Sequence, residues 1–141
     1  MSKPILVRDL LKRLNKTLTT IATKELAKFG LTVPQLMVLK QIQCEPKTIG
    51  QISKAVDLSY STVSGIIDRL EREQMVERVR DKKDRRVVWI RGTGKVKEKV
   101  DQIPIFSEEY FNKLFKDISD EEMDQIVHVL ETLIEKLERE S

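Results

Sequence analysis

The sequence predicts a mainly α-helical chain carrying one small β-hairpin, and three observations lead there. Apolar residues recur at steps of three and four along most of the 141 residues, the period of amphipathic helices. β-Branched residues concentrate in two short runs, 76–80 and 87–91, separated by the polar stretch Asp81-Lys82-Lys83-Asp84-Arg85-Arg86, which reads as a hairpin turn. Three helix starts share one reciprocal cap, a Thr or Ser followed three residues later by Gln or Glu: Thr32/Gln35, Thr48/Gln51 and Ser119/Glu122. A short two-helix unit followed at once by a basic hairpin has the layout of a winged helix-turn-helix. The expected architecture is therefore such a core over residues 31–92, within a single unit of residues 1–141. Helical dimerisation segments flank it over 1–30 and 93–141.

Each element has its own signal. Leu11, Leu14, Leu18 and Ile21 mark a first helix over about residues 4–29, closed by Gly30. Leu36, Leu39 and Ile42 mark a second, entered through the Thr32 cap with Leu31 and Leu36 as a hydrophobic staple. It stops before Pro46, because the residue preceding proline avoids helical geometry. Ile49, Ile52 and Val56 mark a short third helix. A fourth is expected over residues 60–74, with Ile66, Ile67 and Leu70 turned to a core. The helical period resumes at Thr93 and meets Pro104, where the helix must kink or restart. Phe106, Tyr110, Phe111, Leu114 and Phe115 continue it. In the last helix, stapled by Ile118 and Met123, the residues Met123, Ile126, Leu130, Leu133 and Leu137 alternate in steps of three and four, widened by Val127 and Ile134. That stripe is too wide for a lone surface helix. Amphipathic helices at both ends of a small core point to an intertwined homodimer, with Leu11, Leu14, Leu18, Met123, Ile126, Leu130, Leu133 and Leu137 at its seam.

Composition narrows the function. A net charge of +3 conceals polarity: residues 78–99 hold ten Lys/Arg against three acids, and residues 117–141 hold nine acids against two bases. A basic pole on the hairpin suits an anionic polymer. One cysteine, Cys44, excludes an intramolecular disulfide, and beside Glu45 it reads as a semi-buried structural residue. The single histidine, His128, has neither a metal-spaced partner nor a triad, and reads as a surface residue. Gly92-Thr93-Gly94-Lys95 lacks the full spacing of a phosphate loop, and Glu121 and Glu122 point about 100° apart, which suits helix-start electrostatics rather than acid–base work. No enzyme, cofactor or metal site is expected. With no apolar leader and no run of about 18 apolar residues, a cytoplasmic protein without a membrane partner is expected.

The site residues follow from the same logic. Only one hydroxyl among residues 59–64 can cap the fourth helix, and the surplus lowers helix propensity with no capping return. Small polar side chains on the first turns of a second helix can approach base edges in a major groove. The turn is expected to be a flexible loop whose Lys82, Lys83, Arg85 and Arg86 supply cations to phosphates. An arginine there gains from the negative potential of a narrow A·T-rich minor groove. A solvated charged turn is the plain alternative for the hairpin alone. Duplex DNA is preferred over RNA, because no aromatic stacking surface interleaves with the basic patch.

The run Leu58-Ser59-Tyr60-Ser61-Thr62-Val63-Ser64-Gly65-Ile66-Ile67-Asp68-Arg69-Leu70-Glu71, followed by Val76-Glu77-Arg78 and Asp84-Arg85-Arg86, resembles the multiple antibiotic resistance regulators, the MarR family of winged helix-turn-helix transcription regulators. The resemblance covers nearly the whole chain. It implies a homodimer that binds pseudo-palindromic double-stranded DNA as a repressor, with Ser59, Tyr60, Ser61, Thr62, Ser64, Gly65 and Arg69 presented to the major groove. It further implies a wing pair, Asp84 orienting Arg86 toward the minor groove. A small aromatic or anionic effector bound between the dimerisation helices and the DNA-reading lobes is also implied, for which Phe29, Trp89, Tyr110, Phe111 and Phe115 are candidate linings. Three departures stand out. Gly92 replaces a leucine and Val96 a glycine, so the join of wing and fifth helix is expected to differ locally. Gln74-Met75 replaces a common Gly-Leu, removing the glycine cap of the recognition helix. Asp68 would repel phosphates unless it pairs with Arg69, Arg72 or another base of the chain. The competing expectation is a winged-helix scaffold whose basic wing meets an acidic protein partner.

Overall fold

The computed structural model describes residues 2–140. They form two compact units, one ending at Ile103 and one beginning at Pro104. The first holds α1 (Lys3–Ala27), α2 (Val33–Gln41), α3 (Ile49–Val56), α4 (Tyr60–Arg72), β1 (Val76–Arg80), β2 (Val88–Gly92) and α5 (Gly94–Asp101). The second holds a 3-10 turn at Pro104–Phe106, then α6 (Glu108–Leu114) and α7 (Asp120–Glu138). The mainly helical class with a two-stranded antiparallel hairpin is the one the sequence predicts.

All three capping boxes form. Thr32, Thr48 and Ser119 accept from the backbone N–H three residues on, and Gln35, Gln51 and Glu122 accept in return from the cap N–H. Gln35 is buried, so its box also satisfies a polar group that would otherwise be costly. Leu26, Val38, Leu39, Ile52, Val63, Ile67, Leu70 and Ile90, none of them exposed, close the core between α1, α2, α3, α4 and the hairpin. Each such side chain contributes about 1.5–3 kcal/mol on burial.

Three helix ends share one left-handed closure, and for two of them it shortens the expected helix. In α1, the Leu26 carbonyl accepts from Leu31 N–H (3.2 Å) around Gly30 at φ +71°, so the helix closes at Ala27 rather than 29. α3 closes identically around Asp57 at φ +55°, with Leu58 N–H donating to the Ser53 carbonyl. α4 ends at Arg72 instead of 74, because Gln74 adopts φ +63° and Met75 N–H reaches the Leu70 carbonyl (2.9 Å). The left-handed closure therefore survives without its glycine, and at a strain that a glycine would not feel.

The register pairs Val76 with Gly92, Arg78 with Ile90 and Arg80 with Val88 on one face, and Glu77 with Arg91 and Val79 with Trp89 on the other. β2 begins one residue later than predicted, since Val87 N–H is taken by the Asp84 carbonyl inside the turn. A further antiparallel bridge joins Lys47 to Ile90, a two-bond pairing too short to leave a strand pattern in the sequence. At the join to α5 the departures compensate: a Cβ on Gly92 would lie 3.5 Å from the Val96 side chain, which is itself buried. The missing leucine at 92 is answered by extra bulk at 96. α5 packs on α2 and β2 through its buried Val96 and Val100. At Pro104 the chain restarts rather than kinks, through the 3-10 turn and a new cap at Ser107, whose Oγ accepts from Tyr110 N–H.

Candidate nucleic-acid interface

α3 and α4 pack together across a three-residue link, Asp57-Leu58-Ser59, held by a hydrogen bond from Ser53 Oγ to the Leu58 carbonyl. One face of α4 is fixed inward by Val63, Ile67 and Leu70. Helical spacing then puts Ser61, Gly65, Asp68 and Arg72 on the opposite, exposed face, with Thr62 and Arg69 exposed alongside it and Ser64 half-buried at its edge. Tyr60 is 61% exposed at the first turn. Ser59 serves the helix itself, since as N-cap its Oγ accepts from Thr62 N–H (3.1 Å) and donates to Thr62 Oγ1 (2.8 Å). Arg69 lies 3.5 Å from Glu73 and keeps most of its side chain exposed.

Gly65 sits in the middle of this helix, where glycine costs about 1 kcal/mol relative to alanine. A Cβ built there meets nothing within 4 Å, so no packing inside the described chain demands a glycine. The open space faces outward.

The hairpin tip carries a set of hydrogen bonds that its composition does not announce. Asp81 Oδ2 accepts from the N–H groups of Lys83 (3.0 Å) and Asp84 (2.9 Å), while Oδ1 accepts from Trp89 Nε1 (3.0 Å). Arg80 Nη1 donates to the Arg85 carbonyl (2.9 Å), and Asp81 N–H to that of Val87. These bonds close the turn and leave Lys82, Lys83, Arg85 and Arg86 exposed around it. Asp84 grips Arg86 through Oδ1 to Nε (3.1 Å) and Oδ2 to Nη2 (3.2 Å), yet the Arg86 side chain remains 90% exposed. The Trp89 bond, then the two backbone donors, hold the Asp81 carboxyl below the ordinary aspartate range; Arg86 does the same for Asp84.

Two side chains here escaped the sequence reading. Asp81 organises the tip although nothing in its local sequence marks it; its partner Trp89 is brought near only by the hairpin. Arg78 forks between Asp68 (Nη2 to Oδ1, 2.7 Å) and Glu71 (Nη1 to Oε1, 2.7 Å), which raises its pKa, chiefly through the Asp68 bond. It is the base that Asp68 needed. Neither Arg69 nor Arg72 fills that role.

Away from the interface, Cys44 is exposed, not semi-buried, because α2 ends at Gln41 and leaves it in the following turn beside an open cleft of about 320 Å³ lined in part by Pro46, Arg91, Val96 and Lys97. Of the aromatic candidates, Phe29 is half-buried and Trp89 is tied to Asp81. On α6 and just past it, Tyr110 meets Phe111 edge-on (5.4 Å) and Phe111 stacks on Phe115 (6.4 Å). His128 is exposed on α7. Among the described residues no cluster of His, Cys, Asp or Glu is arranged to hold a metal ion, and no helix is long and apolar enough to cross a membrane.

The geometry agrees with known proteins. The MarR family pattern matches residues 31–88. The chain is 31% identical to the helix-turn-helix-type transcriptional regulator YsmB of Bacillus subtilis, covering 99% of this chain and 96% of that one. A MarR family protein from Bacillus stearothermophilus superposes with a TM-score of 0.74 at 26% identity, covering 97% of this chain and 98% of that one. A cysteine-to-serine variant of MarR from E. coli, solved in complex with operator DNA, gives 0.79 at 20% identity over 93% of this chain and 95% of its own. The chain belongs to the MarR family, a family of DNA-binding transcriptional regulators rather than enzymes.

Proposed function

We propose that this chain works as a homodimer that reads a pseudo-palindromic duplex and represses transcription by occupying a promoter in the cytoplasm. The observation that carries this reading is the pairing, within one lobe, of an outward α4 face of small polar residues around an unexplained glycine with a rigid hairpin tip presenting Arg86. Tyr60, Ser61, Thr62, Ser64, Gly65 and Arg69 meet the major groove, with Ser59 holding the helix start. Lys82, Lys83 and Arg85 meet phosphates, and Arg86, oriented by Asp84, enters the minor groove.

Dimerisation draws support from apolar side chains left open on the terminal helices. Leu11, Leu14 and Leu18 are 40, 49 and 36% exposed on α1; Ile126, Leu130 and Leu137 are 41, 38 and 59% exposed on α7, with Met123 and Leu133 half-buried. Large apolar side chains left exposed along each of these helices are what an association surface would cover. Residues 1–30 and 93–141 supply the interface in this reading and 31–92 the DNA-binding lobe. A two-fold axis would set two α4 helices one turn of B-DNA apart, about 34 Å. A small aromatic or anionic effector would act by altering that spacing.

Selection of the purified protein on a random duplex library, with sequencing of the enriched fragments, tests the reading. A palindrome with half-site centres about 10 base pairs apart is expected. Enrichment of nothing at moderate salt would refute it and turn attention to an acidic protein partner.

A further inference from the structure

We propose that Arg78 is a positioning residue for DNA binding: by forking between Asp68 and Glu71 it halves the net negative charge of two carboxylates on α4, engages both as a hydrogen-bond donor, and fixes the wing against that helix. This rests on the DNA-binding function proposed above.

Asp68 lies seven residues beyond Ser61, two turns along the same outward face, and its side chain is 56% exposed. Glu71 is one turn further at the edge of that face, with its side chain 42% exposed. Left bare, both charges would stand beside the surface offered to a polyanion, and two phosphate-repelling groups in the C-terminal half of that helix oppose binding. Arg78 meets both at 2.7 Å from the middle of β1, with only 30% of its own side chain exposed. The strand pairing aims it: Arg78 stands opposite Ile90, on the hairpin face that turns toward the core, whereas Glu77 and Arg91 pair on the other face. A planar guanidinium has donors for two carboxylates at once, which a lysine ammonium cannot match in geometry. The same fork joins the two elements that must enter neighbouring grooves together.

The test is affinity for one duplex, selected beforehand with the wild-type protein, measured by fluorescence anisotropy over a range of salt for Arg78→Gln in two backgrounds. In the native background the expected loss is about tenfold; with Asp68→Asn and Glu71→Gln already present it shrinks to less than about threefold, since the carboxylates that Arg78 engages are gone. An equal loss in both backgrounds, with a salt slope lower by about one, would overturn the proposal by making Arg78 itself a phosphate contact. No loss in the native background would also overturn it. Should Arg78→Gln alone fail to fold, the neutralised background decides: little loss supports the proposal and a tenfold loss refutes it. Failure of the wild-type protein to select any duplex would count against the DNA-binding reading, an outcome distinct from all of these.

Discussion

Replacing Gly65 with alanine should make the protein more stable and worse at binding DNA. Gly65 lies inside the 13-residue helix α4, and apart from its adjacent residues and the local helix backbone nothing described comes within 4 Å of the Cβ that alanine would add. The methyl group meets no clash in the free protein, so the helix recovers the glycine penalty of about 0.5–1 kcal/mol. At a typical urea slope of about 2 kcal/mol per molar, the unfolding midpoint rises by roughly 0.3–0.5 M. On the duplex the same methyl intrudes between helix and base edges; overpacking a close interface by one carbon costs about 1–3 kcal/mol, a loss of about five- to 150-fold in affinity. Urea unfolding followed by Trp89 fluorescence and anisotropy titration on a selected duplex give the two readings. A stabilised variant that binds as tightly as wild type would refute the idea that Gly65 marks the closest approach. A variant that gains no stability would mean that the glycine serves the free fold.

Arg86→Ala should weaken specific binding by about 1–3 kcal/mol in a titration at fixed salt, while its side chain, 90% exposed, leaves the melting temperature nearly unchanged. Gln74→Gly should raise stability by about 0.5–1 kcal/mol in chemical denaturation, because Gln74 holds φ +63° without the freedom of glycine. The wing tip should resist acid. Asp81 and Asp84 have folded pKa values below the ordinary 3.8, so their contribution is present above that value and disappears as pH falls through the lower folded ones. Trp89, the only tryptophan, reports on this directly through its bond to Asp81. Its fluorescence should stay constant from neutral pH down to about 4, and a tip transition above about pH 4.5 would contradict the assignment.

Much of the fold was legible because it is written locally. A capping box spans four residues, and the boxes at Thr32, Thr48 and Ser119 each announce a helix start that forms as read. Helix ends were less legible, since Asp57 and Gln74 take a left-handed conformation usually marked by glycine; the resemblance marked position 74 as a cap site but not that glutamine would keep the closure. The Lys47–Ile90 bridge joins residues far apart in the chain through one pair and leaves no period to detect. The same contrast divides the candidate site. Basic residues at the tip and hydroxyls on α4 were visible as composition, whereas Asp81 and Arg78 act on residues eight and ten positions away, brought near only by the folded hairpin. Asp68 was read as repelling phosphate unless it pairs with Arg69, Arg72 or another base of the chain, and the strand supplies that other base as Arg78. Cys44 was misjudged because the helix before it closes early.

The most direct test of a two-fold groove reader is the spacing of its half-sites. A selected palindrome is compared by anisotropy with a copy carrying about five extra base pairs at its centre, which turns one half-site by roughly half a helical turn and leaves every contacted base intact. Binding should fall to the level of a single half-site. Equal affinity for both duplexes would contradict a two-fold reader, since it would mean that the lobes engage DNA independently of one another.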